Sequence, residues 1–131
     1  MLAFRAAIES GEFDTNADLF TEDAVLHIPI AHRPYQRRDI VAAIISAVAT
    51  VLESFRFEKQ IGGNEIREAT GDHALLFNAT VGGLQTQGCD FVHTREDGLI
   101  DELTVMLRPL KAVTAFAQRV AVEFEKAMTR R

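Results

Sequence analysis

The chain has 131 residues, of which 47% are hydrophobic and 25% are charged, and its net charge is −5. A chain of this size can bury a core without metals or disulfides, and its acidic balance excludes general binding to nucleic acid. The only cysteine, Cys89, excludes an intrachain disulfide and every zinc site with two cysteine ligands. We therefore expect one domain over residues 1–131, with the cytoplasm as its compartment.

No segment predicts a membrane span or a signal peptide. The longest apolar stretch, residues 40–52, is interrupted by a serine and a threonine and is shorter than the ~20 residues that cross a bilayer. Glu9 and Glu12 interrupt the apolar start of the chain where the hydrophobic region of a signal peptide would continue. The mature chain is expected to begin near Met1 and to make no contact with membranes.

The first third of the chain predicts two short helices and one strand. Residues 2–10 have the spacing of a short helix, and Asp14 can cap a second one that ends near Phe20. Residues 24–30 are apolar and rich in strand-forming side chains. Pro29 confines this strand to an edge or makes it end there, because proline cannot donate a ladder hydrogen bond.

A loop over residues 32–38 precedes a long predicted helix. Asp39 can cap this helix, which is expected to run to about Ser54. Its apolar residues cover most of its circumference: Ile40, Val41, Ile44, Ile45, Val48, Val51 and Leu52. A helix that is apolar nearly all round is buried, so it needs a sheet to lie on.

From Phe55 onward the pattern changes to the two-residue period of strands. Further strands are predicted over residues 74–81, 88–94 and 99–107. Asp97-Gly98 marks a hairpin turn between the last two of them, because Asp-Gly adopts the backbone angles of a tight turn. These strands are therefore expected to form an antiparallel sheet.

The last segment predicts an amphipathic helix. Its apolar residues recur at steps of three and four: Leu110, Val113, Phe116, Val120, Phe124 and Met128. Helices that come first and an antiparallel sheet that follows make an α+β arrangement. A strongly curved sheet beneath the buried helix would leave a cavity, and such cavities take small apolar ligands.

Four segments, by their order and spacing, carry a family resemblance over nearly the whole chain. They are Phe4 to Asp14, Leu19 to Val25, Asp90 to Ile100, and Met106 to Leu110. With them the sequence resembles the SnoaL-like and ketosteroid-isomerase-like branch of the nuclear-transport-factor-two-like superfamily. The resemblance implies a cone of helices over a curved, mostly antiparallel sheet, which is a cystatin-like α+β barrel. It also implies an active site inside the cone and a homodimer that pairs through the outer sheet face.

The family's catalytic positions fall on three residues of this sequence. The oxyanion-hole tyrosine falls on Phe4, which has no hydroxyl, and the general-base aspartate falls on Ile28, which cannot accept a proton. The aspartic acid that the family keeps protonated falls on Asp90 and is retained. Because ketosteroid isomerisation needs both a base and a polarised carbonyl, that reaction is not predicted. A glycine common before the third helix in the family is replaced by Arg37.

The expected cavity is apolar, with Asp90 as its main buried polar group. Asp90 lies between Cys89 and Phe91 in an apolar strand, where burial would raise its pKa and make it an acid or a hydrogen-bond donor. The alternative is an outward-facing Asp90 at a dimer face or paired with an arginine. The predicted ligand pocket consists of Phe4, Ile28, Tyr35, Phe77, Asp90, Val92, Leu103 and Val105.

The histidines and the single tyrosine are further candidates. His27 alternates away from the predicted cavity side, which favours a structural or interface role. His32 and Tyr35 lie in a loop expected to rim the cavity, where Tyr35 could donate a phenolic proton or simply lie on the surface. His73 and His93 have no second ligand at a recognisable metal spacing, so we expect neither a metal nor another cofactor.

Two functions of different classes remain open from the sequence. One is an enzyme that acts on a small hydrophobic molecule as an isomerase, cyclase, dehydratase or hydrolase, with Asp90 as the acid. The other is a noncatalytic ligand-binding or dimerisation module that has kept the cavity and lost the chemistry. A fold by itself does not separate the two.

Overall fold

The computed structural model describes residues 3–10, 16–62 and 70–129. Its helices are α1 (Ala3–Ser10), α2 (Arg38–Val51) and α3 (Leu110–Thr129), with a 3₁₀ turn at Asn16–Leu19. Its strands are β1 (Phe20–His27), β2 (Tyr35–Gln36), β3 (Glu53–Gly62), β4 (Gly71–Val81), β5 (Leu84–Thr94) and β6 (Ile100–Arg108). Within these residues, no helix combines the length and the apolar character needed to cross a membrane.

The strands form one curved sheet in the order β2-β1-β6-β5-β4-β3. Every neighbouring pair is antiparallel except β1 and β6, which run parallel. The sheet is therefore mixed, and it stays open at the edges formed by β2 and β3 instead of closing into a barrel. The predicted α+β class and curved, mostly antiparallel sheet are confirmed.

Alternation along the strands separates an inner, buried face of the sheet from an outer face. On β4 the inner side chains include Leu75 and Phe77, and on β5 they include Asp90 and Val92. Helix α2 covers the β1 half of the inner face, and most of its apolar side chains, among them Val41, Ile44 and Val51, are buried. The inner face and α2 therefore enclose the main core.

The first strand and the segments on either side of it differ from their predicted bounds. The predicted strand 24–30 starts earlier, at Phe20, and ends at His27, before the proline that cannot continue a ladder. The short helix predicted to end near Phe20 is a 3₁₀ turn, Asn16–Leu19, and its predicted cap Asp14 lies outside the described residues. The predicted loop 32–38 contains β2, in which Tyr35 pairs with Leu26.

Helix α2 begins one residue before the predicted cap. The cap position is Arg37, with φ 79° and ψ 138° and no side-chain cap hydrogen bond, and Asp39 lies inside the first turn. An Arg37 Nη atom lies 3.2 Å from an Asp39 carboxylate oxygen at the exposed helix start. The helix ends at Val51 and not near Ser54, because the chain enters β3 at Glu53.

Candidate functional site

A cavity of about 60 Å³ lies between α1, the C-terminal half of α2 and the inner face of the sheet. Its lining within the described residues consists of Phe4, Ile8, Ile45, Val48, Ala49, Leu52, Phe55, Phe77, Asp90 and Val105. All of these side chains are apolar except Asp90. The cavity therefore offers a ligand apolar contact together with one ionisable group.

The carboxyl of Asp90 borders this cavity and has no partner among the residues that the structure describes. Asp90 lies on the inner face of β5, next to Leu75 of β4 and Val105 of β6, and is 7% exposed. Within the described part of the chain, neither a hydrogen bond nor an ion pair reaches this carboxyl. Burial raises the pKa of Asp90 to about 7, because the apolar surroundings disfavour the charged form. Below that pH, Asp90 is a neutral acid that can donate a hydrogen bond.

Aromatic rings form the wall of the cavity beside β3 and β4. The rings of Phe55 and Phe77 are tilted by 31° with centroids 4.7 Å apart, and both border the cavity. Phe57 meets Phe55 edge to face at 4.7 Å but does not border the cavity. Such pairs add about 0.5–1.5 kcal/mol beyond the burial of their area, so this wall is held in place by its own packing.

Arg5 of α1 is a cation that lies beside this aromatic wall and is already paired with other groups. Its guanidinium lies 5.6 Å from the centre of the Phe57 ring, on the side of Phe57 that faces α1. The same group pairs with Glu9 at 2.8 Å and donates a hydrogen bond to Gln60 at 3.2 Å. Arg5 therefore joins α1 to β3 and does not neutralise Asp90.

Four of the predicted pocket residues border the cavity: Phe4, Phe77, Asp90 and Val105. Ile28, Val92 and Leu103 are buried in the core and do not border it. The physical reason is that α2 fills the space over β1 and the adjoining part of the sheet, so this cavity lies toward the β3 side of the sheet.

Tyr35 lies at the opposite edge of the sheet from the cavity. It belongs to β2, and its ring meets Phe124 of α3 edge to face, with centroids 6.2 Å apart. His32 is exposed in the loop before β2. The expectation that this loop rims the cavity therefore does not match the structure, because β2 and the cavity wall at β3 occupy opposite edges.

Several residues that border the cavity are not among the pocket residues predicted from the sequence. Four of them, Ile45, Val48, Ala49 and Leu52, follow the i, i+3, i+4, i+7 spacing of one helix face. The sequence contains this apolar stripe, but α2 is apolar on its other faces too. Spacing alone therefore does not distinguish the face toward the cavity from the faces that pack in the core. Ile8 and Phe55 carry no comparable signal.

The remaining titratable candidates lie away from the cavity. His27, Cys89 and His93 lie on the outer face, and His73 is buried on the inner face beyond Leu75. A short hydrogen bond of 2.6 Å between His93 Nδ1 and Asp101 raises the pKa of His93. In the ranges that the structure describes, no three His, Cys, Asp or Glu side chains come together as a metal-ligand group.

A family model described as a SnoaL-like domain matches residues 1–103. None of the curated proteins that were compared with the chain matches it. The match to the family covers most of the chain, including α1, α2 and all of the sheet except the end of β6.

Solved structures share the fold over nearly the full length. A steroid delta-isomerase from Pseudomonas aeruginosa has a TM-score of 0.86 and 26% identity, over 96% of this chain and 89% of that chain. An uncharacterized protein with a cystatin-like fold from Silicibacter pomeroyi DSS-3 has a TM-score of 0.81 and 28% identity, over 93% and 85%. An NTF2-like protein of unknown function from Cytophaga hutchinsonii ATCC 33406 has a TM-score of 0.61 and 15% identity, over 82% and 86%, which is a likeness of fold alone. The chain therefore belongs to the SnoaL-like family and has the NTF2-like fold, with a steroid delta-isomerase among its structural neighbours.

Proposed function

We propose that the protein binds a small, neutral, mostly apolar molecule in this cavity, and that protonated Asp90 donates a hydrogen bond to the ligand's one polar acceptor. The observation that carries the proposal is the Asp90 carboxyl, which has no partner among the described residues and lies in a described lining that is otherwise apolar. A buried polar group without a partner costs about 1–3 kcal/mol, which a ligand acceptor would recover. An anionic ligand would find no cation among the described lining residues, so the ligand is neutral.

The same carboxyl supports proton-transfer chemistry on the ligand. With a pKa of about 7, Asp90 is present as acid and as base near neutral pH, which is the condition for efficient general acid–base catalysis. A structural neighbour is named a steroid delta-isomerase, which supports isomerisation as the reaction class. Because no second titratable side chain borders the cavity within the described residues, Asp90 would both donate and accept the proton.

A small unsaturated ketone tests the enzymatic form of the proposal. Isomerisation of 3-cyclohexen-1-one to the conjugated 2-cyclohexen-1-one is followed by the rise in ultraviolet absorbance. We expect turnover by the wild type and a loss of at least about 100-fold in Asp90→Asn, because the amide cannot transfer the proton. Asp72→Asn, on the exposed outer face, is the matched control and should keep full activity.

The noncatalytic module is the second candidate, and the loss of the family's other two catalytic residues favours it. Phe4 borders the cavity without a hydroxyl, and Ile28 is buried in the core and cannot accept a proton. If the wild type binds saturated cyclohexanone but does not isomerise 3-cyclohexen-1-one, the protein is a ligand-binding module. Absence of both binding and turnover contradicts the proposed function in either form.

We also propose that a second copy of the chain covers the outer sheet face. The centre of this face carries large apolar side chains that are unusually exposed: Ile61 is 49% exposed, Phe91 44% and Met106 56%. Ile61 and Phe91 lie in one row across the sheet with Ala74 between them, and Met106 lies in the next row beside Cys89. A contiguous exposed apolar patch of this kind is typical of an interface.

The two ends of the outer face carry opposite charges, which supports a second copy as the occupant. Glu102, His93 and Asp72 lie side by side across β6, β5 and β4 at one end. At the other end, Arg108 of β6 and Arg56 of β3 flank the row. A two-fold axis through the apolar centre places the acidic end of each copy against the basic end of the other, as an isologous interface requires.

A further inference from the structure

The cavity is small for the fold that encloses it. Its volume is about 60 Å³. A protein cavity of about 150 Å³ holds benzene, and ordinary ligand sites occupy about 300–1,000 Å³. A single six-membered ring therefore needs the wall to move outward, and a fused-ring molecule would have to displace the side chains that form it altogether.

The part of the wall that takes up this space consists of two phenylalanine rings. Phe77 of β4 lies side by side with Gly88 of β5, and a Cβ on Gly88 would overlap the tip of the Phe77 ring. The absence of a side chain at Gly88 therefore lets Phe77 lie across β5, two residues along the strand from Asp90. Phe55 then stacks on Phe77, with 4.7 Å between the ring centroids. Together the rings occupy the concave space next to the carboxyl.

We infer that Phe55 and Phe77 are the specificity-determining residues of the cavity, and that they restrict its ligand to a neutral short-chain or single-ring ketone or alcohol. The inference rests on the proposed function, since it names the class of molecule that Asp90 would hold. The size limit distinguishes this cavity from a site for fused rings, although a structural neighbour of the chain is named a steroid delta-isomerase.

Phe55 is the ring to truncate, and the neighbouring Phe57 provides a matched control. Phe77 is 1% exposed, so its truncation would damage the core. Phe55 and Phe57 are both half-buried on the edge strand β3, two residues apart, and they contact each other. Only Phe55 borders the cavity. Phe55→Ala should therefore enlarge the cavity, and Phe57→Ala should leave its size unchanged.

Affinities for 2-butanone, cyclohexanone and 2-decalone measure the size limit directly. Binding is followed by the chemical shift of the Asp90 side-chain carboxyl carbon in NMR titrations. Each additional buried methylene strengthens binding about fourfold, so 2-decalone would bind about 200-fold more tightly than cyclohexanone if its second ring were buried. We expect the wild type to bind 2-decalone no more tightly than cyclohexanone. We expect Phe55→Ala to gain at least about tenfold for 2-decalone, and Phe57→Ala to match the wild type.

The outcomes separate the inference from the function on which it rests. Wild-type binding of 2-decalone that is tighter than that of cyclohexanone by about tenfold or more overturns the size limit and leaves the proposed function standing. Equal behaviour of Phe55→Ala and Phe57→Ala overturns the role of Phe55. If no ketone shifts the Asp90 signal of the wild type, the proposed function itself fails. Should Phe55→Ala not fold, as judged by circular dichroism, the wild-type series still decides the size limit.

Discussion

Asp90 is a carboxyl in surroundings that favour its neutral form. It is buried beside a cavity whose other described lining residues are apolar, and burial alone raises its pKa to about 7. A structural carboxyl would be expected to accept hydrogen bonds or to pair with a cation, as Glu9 does with Arg5. Asp90 has no such partner in the described part of the chain, and the cost of burying it in this way directs attention to a ligand at this residue.

The raised pKa of Asp90 predicts a pH-dependent stability. In the unfolded chain the carboxyl ionises near its ordinary pKa of 3.8, whereas in the folded chain it keeps its proton up to about pH 7. The native state therefore binds more protons between these values, and the free energy of unfolding decreases as the pH rises through this range. Above pH 7 both states are ionised and the decrease stops.

We expect the difference in the free energy of unfolding between wild type and Asp90→Asn to change by roughly 2–3 kcal/mol from pH 5 to pH 8, in favour of the variant at the higher pH. Urea denaturation of both proteins at the two pH values measures it. Groups that titrate in both proteins, such as His93, cancel in the difference. A difference that does not change with pH would show that Asp90 titrates normally.

At the level of elements, the start of α2 is one of the places where the backbone is under strain. Arg37 has φ 79°, which side chains other than glycine rarely adopt. The position is held from both sides, because the Arg37 N–H donates to the Ala24 carbonyl at 3.0 Å and its carbonyl accepts from Val41 at 2.9 Å. The first of these hydrogen bonds ties the start of α2 to β1 and the second belongs to the first turn of the helix, so the strain persists as the cost of placing the helix over the sheet.

Replacement of Arg37 by glycine should therefore stabilise the protein. Glycine adopts this conformation freely, and we expect the free energy of unfolding to rise by about 0.5–1 kcal/mol. The ion pair with Asp39 that is lost is exposed and contributes little. Chemical denaturation measures the change, with Arg37→Ala as the control that removes the same ion pair but keeps a Cβ. Equal stability of the two variants would contradict the assignment of strain.

On the scale of the whole molecule, the open sheet has two faces with different tasks. The inner face is covered by helices, and the cavity lies between α1, α2 and this face. The outer face carries apolar side chains between an acidic and a basic end, which underlies the proposed two-fold pairing. The same alternation of β5 that turns Asp90 inward turns Phe91 outward, so one strand serves both faces.

The proposed pairing predicts a sedimentation mass of two chains at micromolar concentration. Met106→Lys, in the apolar centre of the outer face, should give the mass of one chain, because it would bury a charge without a partner. Val122 of α3 is 51% exposed and lies away from this face, so Val122→Lys should leave the dimer intact.

The charges at the two ends of the outer face give a second test. Arg108→Glu should weaken pairing because it places like charges opposite each other, and adding Glu102→Arg should restore pairing. A wild type that sediments as one chain would rule the pairing out.

The candidate site was only partly readable from the sequence. The sequence leaves an inward and an outward orientation of Asp90 open, and in the structure its side chain lies on the inner face. The positions of Phe4 and Val105 at the cavity were anticipated. Tyr35 is predicted at the cavity but lies far from it, because β2 pairs with β1 at the far edge of the sheet. Phe55 was missed because nothing local distinguishes a ring that borders a cavity from one that fills a core.

Local periodicity by itself determined the α+β class, the buried character of α2, the amphipathic α3 and the two faces of β4 and β5, because side-chain spacing repeats with the backbone geometry of each element. Only the tertiary structure decided the parallel pairing of β1 with β6, the strained entry into α2 at Arg37, and the location and volume of the cavity. These features depend on contacts between residues far apart in the chain. A cavity is the space that such contacts leave unfilled, and no run of neighbouring residues encodes it.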